Sequence, residues 1–470
     1  MSEDFELRWP EKYDAKGRRR PPRRPPGGLE LLERHGDATP RGSLVLGDNL
    51  AALAAWCERR DADVDLVYMD PPFMTGGRFH AVRKIGGGDG ASSARVTGYE
   101  DRFPSRGAFM AMLDDRLRLS RELLSAHGSL YLHLDPTMSH AAKLMMDDVF
   151  GRENFQREII WRIGWVSGFK SRVKNWVRNH DVILFYAREA KKLQFVRQFV
   201  PYPPGYERRS GKSSANPGIP VDDVWNASPA EAILKGSESL DSIQIKSFSS
   251  EKTGWGTQKN ESLVERVILA SSSEEGWVLD PFMGSGTTAA VAARLGRRFL
   301  GCDRSALALQ LARQRLLRLG VPFVIERVVD PDMPRQLRPA SADIESAVVC
   351  SPVSGGGWRV TLADSPGLAL PVAEAGDEGD DEGALDSVEA WCVLDEARRV
   401  LWQTSREACS ERRLERVATL RSHVPKFLRC YGVMGDISEV VLECNEAGEP
   451  RGLEGWCYTS ATAAPPASSM

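Results

Sequence analysis

Residues 277–303 read WVLDPFMGSGTTAAVAARLGRRFLGCD. The apolar run Trp277–Leu279 stops at Asp280-Pro281, the pattern of a short buried strand ended by a turn. From Thr287 to about Leu295 the chain is Ala-rich and predicts a helix, and RRFLGCD is a second short apolar run. Strand, turn, helix and strand in this order form the unit of a parallel sheet. The same rhythm appears upstream, in the strand SLVLGDN, the helix LAALAAWCERR and the strand VDLVYMD. An amphipathic helix FMAMLDDRLRLSRELLSA, a strand GSLYLHLD and a helix over about Met138–Val149 continue it, and a long helix ends near Leu319. The expected fold is α/β, with a doubly wound, mostly parallel sheet covered on both faces.

The flanks differ in texture. Residues 1–42 hold KGRRRPPRRPPGG, whose Arg, Pro and Gly cannot build a core, so a basic and largely disordered arm is expected before Ser43. The Gly-rich stretch Gly76–Gly98 reads as a flexible loop. Beyond Pro331 come an acidic run, EAGDEGDDEGALD, and β-rich segments such as SEVVLEC, which place a β-rich accessory domain at 331–458 and a disordered tail at 459–470.

The chain has 470 residues, 42% of them hydrophobic, enough for a large core. Its 62 Lys+Arg against 65 Asp+Glu leave a net charge of −3, so only the distribution of charge can point to a polyanionic partner. No apolar run reaches the roughly 20 residues of a membrane span, and a cytoplasmic protein is expected. Eight scattered cysteines without a CxxC pair read as reduced thiols, with neither a disulfide framework nor a metal site.

Two turns carry the chemistry. Asp70-Pro71-Pro72-Phe73 closes a strand, where open α/β sheets place ligands. The prolines supply carbonyl acceptors but no N–H, and a carboxylate beside a fixed carbonyl suits an amine with two hydrogens to hold. Phe73 adds a flat face for stacking a base. Read alone, the motif could equally be a plain strand end. The second turn, Asp280 to Thr288, has Gly284 and Gly286 ahead of a helix, as in nucleotide-binding turns. It lacks the Lys of a phosphate-binding P-loop and the third glycine of a dinucleotide fingerprint. Asp303 ends the next strand, at the place of an acid that bonds ribose, so an adenosine cofactor without a long phosphate chain fits best.

In order and context these segments resemble the amino-methyltransferases of DNA, in the permuted branch whose DPPF motif precedes the FxGxG motif, similar to type III-like modification enzymes. The resemblance runs from about Leu44 to Leu319 and includes LVLGDNLAAL, VDLVYMDPPF, DDVFGRENFQREIIW, NHDVILFY and GWGTQKNESLVERVILASS. It implies a seven-stranded methyltransferase domain at 43–330 with S-adenosylmethionine as cofactor, and Asp70, Pro71, Pro72 and Phe73 as the amine-holding, base-stacking motif. It implies cofactor contacts from Asp280, Phe282, Gly284, Gly286 and Thr287, with Asp303 at the ribose and Asp48 near the adenine. Thr257, Gln258 and Lys259 match the segment beside the methionine end, although Asn260 stands where such proteins usually have proline. Asp at the first position of DPPF favours adenine N6 over cytosine N4. The resemblance further implies double-stranded DNA as partner, no membrane partner, a homodimer, and restriction or defence-system subunits.

The two turns lie 210 positions apart, too far for one crossover, so a target-recognition insertion is expected at 155–256. Phe155–Lys212 holds thirteen Lys/Arg against four Asp/Glu, interleaved with Trp161, Trp165, Phe169, Trp176, Tyr202 and Tyr206. Cations neutralise phosphates and rings stack on or wedge between bases. The expected DNA contacts are Lys170, Arg172, Lys174, Trp176, Arg178, Arg208, Arg209 and Lys212, and Lys16–Arg24 of the arm could add phosphate contacts. His133, Asp135 and His180 read as structural residues, the last at a turn. The rivals are a cytosine-N4 methyltransferase and a DNA-binding specificity subunit of a restriction or defence complex.

Overall fold

A computed structural model describes residues 6–59, 63–85, 92–163, 174–202, 217–225 and 251–329, and beyond these 348–352, 358–362, 388–394, 397–405, 417–420, 427–432, 437–441 and 455–458. Its centre is a ten-stranded sheet built from β1 (Gly28–His35), β2 (Gly42–Leu46), β3 (Val64–Met69), β6 (Leu124–Leu134), β7 (Phe155–Arg162), β8 (His180–Ala187), β11 (Val224–Trp225), β12 (Trp277–Asp280), β13 (Arg298–Asp303) and β14 (Phe323–Val329). The strand order is β1-β14-β2-β13-β12-β3-β6-β8-β7-β11. From β14 to β6 every neighbouring pair is parallel, whereas β1 and β8 run against their neighbours.

Because side chains alternate across a strand, the sheet has two apolar faces. Leu44, Leu66, Tyr68, Val278 and Phe299 pack on one face under α4 (Glu261–Ser271), α5 (Thr287–Arg294) and α6 (Ala306–Leu319). Val45, Val67, Met69, Leu279 and Leu300 pack on the other under α1 (Asn49–Arg59), α2 (Arg106–Leu123) and α3 (Ser139–Phe150). This is the expected doubly wound arrangement. After β3 the chain moves on to β6, and after β12 it moves the opposite way to β13. Adjacent strands whose connections diverge leave a crevice beyond their carboxyl ends. Asp70 and Asp280 stand at its two lips.

Four expectations are corrected. Among the described residues the sheet has ten strands rather than seven, with β1 added from the N-terminal segment and β7, β8 and β11 coming from the insertion. Residues 6–42 are not a free arm: β1 pairs with β14, and buried Glu33 meets Arg313 at 2.9 Å. Arg19 pairs with Asp114 at 2.7 Å, Arg23 with Asp115, and Arg24 with Glu122, so these cations are taken by α2. The stretch read as a flexible loop holds the antiparallel hairpin of β4 (Arg78–Ile85) and β5 (Ser92–Glu100), whose strand alternation the surrounding glycines obscure. In the insertion, β7 and β8 belong to the main sheet, Trp161 is buried in its core, and His180 begins β8 instead of lying at a turn.

The remaining described strands are β9 (Phe199–Pro201) with β10 (Gly218–Pro220), followed by β15 (Val348–Pro352), β16 (Trp358–Leu362), β17 (Val388–Leu394), β18 (Val400–Ser405), β19 (Val417–Leu420), β20 (Phe427–Gly432), β21 (Ile437–Val441) and β22 (Gly455–Tyr458). The last eight form antiparallel sheets of three and five strands. No described helix is long and apolar enough to cross a membrane.

Candidate active site

A cavity of about 290 Å³ opens at the crevice between β3 and β12. Asp70 and Pro72 line it from the first turn, and Asp280, Phe282, Gly284, Thr287 and Asp303 from the second turn and the end of β13. Thr257, Gln258 and Lys259 close one side. The two turns, far apart in sequence, therefore share one chamber.

The glycine turn is held from within. Asp280 accepts hydrogen bonds from the Phe282 amide at 3.0 Å and the Thr288 hydroxyl at 2.5 Å. Asp303 accepts from the Gly284 amide at 2.9 Å and the Ser305 amide at 2.8 Å. Burial pushes the Asp280 carboxyl up to about 7, against the pull of those donors and with the charges of Asp70 and Asp303 adding to it. Burial likewise raises Asp303 to about 6. Gly284 has φ +49° and faces the Trp255 indole, where a Cβ would come 3.1 Å from Nε1. Gly286 caps α5 at φ +75°, and a Cβ there would lie 2.4 Å from the Ala312 Cβ. Gly284 keeps the chamber open, whereas Gly286 lets α5 and α6 touch and does not itself line the cavity.

The DPPF turn is arranged differently. Asp70 Oδ2 is paired with Lys259 Nζ at 2.8 Å, and Oδ1 is buried with no hydrogen-bond partner among the described residues. The Lys259 ammonium also lies over the Phe73 ring, 4.9 Å from its centre. Pro71 is buried, and Phe73 packs beside the chamber rather than in its lining. Asp101 fixes the exit of the turn by accepting from the amides of Met74 at 2.7 Å and Thr75 at 2.8 Å. Asn260, found where proline was expected, caps α4 by accepting from the Ser262 amide at 2.9 Å.

Asp48 is not in the lining: it accepts from Leu50 N and pairs at 3.1 Å with Arg116, which does line the cavity. Tyr99, Trp255, Phe103 and Arg116 are wall residues that the sequence reading missed. Tyr99 and Trp255 stack at 6.3 Å, and the bridge between Ala81 and Trp255 ties the β4–β5 hairpin to this wall. Gln258 bonds to Thr253 and to the Glu251 carbonyl, which shapes the loop that carries Lys259. Cys302 is buried beside Asp303, and burial drives its thiol far up, so it packs and does not react.

Of the expected DNA contacts, Lys174 and Trp176 are exposed, Trp176 almost fully at 97%. Arg178 is half-exposed and paired with Asp181. Lys170, Arg172, Arg208, Arg209 and Lys212 lie outside the described residues.

The DNA methylase family profile aligns with residues 64–314, just over half the chain, and spans both turns. The chain belongs to the DNA methylase family. It is a DNA methyltransferase of the N6/N4 group. It is 26% identical over 262 residues to the type II methyltransferase M2.DpnII of Streptococcus pneumoniae, covering 54% of this chain and 82% of the relative. To the type II methyltransferase M.EcaI of Enterobacter cloacae it is 27% identical over 327 residues, covering 58% and 69%. Among solved structures, this methylase aligns with the M1.HpyAVI–SAM complex at 17% identity and TM-score 0.37, covering 58% of this chain and 98% of that one. It aligns with the cytosine-N4-specific PvuII DNA methyltransferase at 14% identity and TM-score 0.36, covering 61% and 90%.

Proposed function

We propose that this methylase moves the methyl group of S-adenosylmethionine to the N6 amine of an adenine flipped out of duplex DNA. The observation that carries this reading is the single chamber bounded by both turns and lined by Asp70, whose Oδ1 is buried with no hydrogen-bond partner among the described residues. An acceptor withheld from water and from the protein is costly, and an incoming amine satisfies it.

The chamber suits the cofactor. Its volume lies near the lower end of the roughly 300–1,000 Å³ common for small-ligand sites. Carboxylates at 70, 280 and 303 offer partners to a sulfonium and an ammonium, beside the cations Arg102, Arg116, Lys259 and Arg304 that share the lining, and Tyr99, Trp255, Phe103 and Phe282 offer flat apolar walls to a purine. Bound there, the cofactor supplies an electrophilic methyl carbon. Phe282, Gly284, Thr287, Asp303 and the Thr257–Lys259 segment would hold it.

Inside the duplex an exocyclic amine is out of reach, so the base is extruded, at a cost of about a few kcal/mol. Stacking on Phe73 offsets part of that cost. Asp70 Oδ1 and the Pro71 carbonyl take the two amine hydrogens, which turns the nitrogen lone pair toward the methyl carbon. Positive charge that develops on the nitrogen as it takes the methyl group would be stabilised by the Asp70 carboxylate. One amine proton then leaves by way of Asp70 Oδ1. Asp at position 70 favours adenine, and exposed Lys174 and Trp176 suit the DNA-facing surface.

The test incubates the full chain with isotope-labelled S-adenosylmethionine and unmethylated plasmid DNA, then identifies modified nucleosides by mass spectrometry. Labelled N6-methyldeoxyadenosine is expected. N4-methyldeoxycytidine would reassign the base, and DNA binding without binding of S-adenosylmethionine would overturn the enzymatic reading in favour of a DNA-binding subunit.

A further inference from the structure

Behind Phe73 stands a buried imidazole that the proposed chemistry leaves unused. His133 lies on β6, is 0% exposed, and has both ring nitrogens engaged. Nδ1 is 2.8 Å from the Tyr68 hydroxyl and Nε2 is 3.3 Å from Asp181 Oδ2. Two bonds in the ring plane fix that plane, because any rotation breaks at least one of them. The Phe73 ring lies against the imidazole with centroids 5.9 Å apart and planes inclined by 27°. The Trp161 indole meets the imidazole edge-on at 5.5 Å and 82°, closing it from another side.

Phe73 follows two prolines, which donate no backbone hydrogen bond to hold the turn. The turn is held from its exit by Asp101, and the Phe73 ring itself is oriented by the His133 imidazole and the Lys259 ammonium that it lies against. We infer that His133, locked by Tyr68 and Asp181, is the positioning residue that fixes the plane of Phe73 for base stacking. This inference rests on the proposed function of the same site. Tyr68 stands two residues before Asp70, so one hydrogen-bonded unit aligns both the carboxylate turn and the stacking ring. Asp181 stays ionised despite its burial: desolvation alone would raise its carboxyl, but His133, Lys259 and Arg178 hold it at about 2. Arg178 caps the assembly from the half-exposed side and also reaches Asp135 at 3.7 Å.

The experiment is a mutant cycle in the full-length protein, comparing wild type, His133→Ala, Phe73→Ala and the double variant. It reads kcat and KM for methyl transfer to unmethylated plasmid DNA, together with the dissociation constant of S-adenosylmethionine. A positioning role predicts that H133A lowers kcat about tenfold, a loss in the range of one stacked base, while cofactor affinity stays within about threefold. In the Phe73→Ala background the same substitution has no further effect. His133→Gln, which can still reach Asp181, recovers part of the rate. A kcat within about twofold of wild type overturns the inference, as does an equal loss in the F73A background. Should H133A fail to fold, Tyr68→Phe, which removes only the hydroxyl bond to Nδ1, runs through the same cycle with the same two criteria. If the wild type transfers no methyl to DNA, the proposed function itself fails. If it does and the cycle is additive, only the role of His133 falls.

Discussion

The molecule uses Asp-Pro twice at the ends of adjacent parallel strands, and the two copies do opposite things. Asp280-Pro281 follows β12, and its carboxylate is saturated by the Phe282 amide and the Thr288 hydroxyl. Asp70-Pro71 follows β3, and its carboxylate gives one oxygen to Lys259 and keeps the other buried and free. After the first the chain runs through the glycine turn into α5, and the donors come from the turn itself, at Phe282, and from the start of the helix, at Thr288. After the second a further proline removes a donor, and the chain leaves for the β4–β5 hairpin. A short motif does not fix what its acid does; the donors supplied by the following residues decide whether it builds a turn or receives a ligand.

The sharpest break of this contrast is amide replacement in each turn. Asp70→Asn should lower kcat by about 10²- to 10³-fold, the scale of losing one preorganised group aimed at developing charge, with cofactor affinity little changed. Asp280→Asn should act the other way, weakening cofactor binding and thermal stability more than kcat, because an amide cannot accept from both the Phe282 amide and the Thr288 hydroxyl without turning its N–H₂ toward one of them. Steady-state kinetics with calorimetric cofactor titration separates the two. Equal kcat losses with intact binding in both variants would erase the distinction.

The glycines give the next test. Gly286→Ala adds a left-handed penalty and a contact with Ala312, and should cost about 2–4 kcal/mol of stability, read as a lower melting temperature. Gly284→Ala carries the backbone penalty but meets only the edge of the Trp255 indole, so its stability cost should be smaller and its effect on cofactor affinity larger. A melting temperature that falls further for G284A than for G286A would reverse the assignment of which glycine serves packing.

Much of this was legible in the sequence because strand-turn-helix units leave local signals: β3, α1, β12, α5 and β13 all lie where apolar runs and turn residues mark them. Both motifs announced themselves through proline and glycine. The cavity wall did not. Tyr99 and Trp255 are 156 positions apart, on a hairpin hidden among glycines and on a loop, and only tertiary packing brings them together. The arginines of the N-terminal segment misled for a related reason: composition reports charge but not partners, and Asp114, Asp115 and Glu122 on α2 become partners only once the helix folds. Lys259, expected from the resemblance beside the methionine end of the cofactor, lines the chamber with its ammonium bonded to Asp70, a pairing across 189 positions that no local signal announces.

The smallest expected effect follows from the raised acids of the glycine turn. In the folded protein Asp280 and Asp303 release their protons near pH 7 and pH 6, whereas in the unfolded chain both do so near the ordinary Asp value of about 3.9. Between about pH 4 and 7 the folded state therefore holds more protons than the unfolded state, and the stability of the free protein should fall as pH rises through that window. A cationic ligand in the chamber favours the ionised carboxylates, so its binding expels protons and should tighten severalfold from about pH 5.5 to 8, then level off. Calorimetric titration of S-adenosylmethionine in buffers of different ionisation enthalpy reads the protons released directly. Affinity that weakens with rising pH, or binding that takes up protons at pH 6.5, would mean that the carboxylates of the second turn do not face the cofactor, and the division of labour between the two Asp-Pro turns would have to be redrawn.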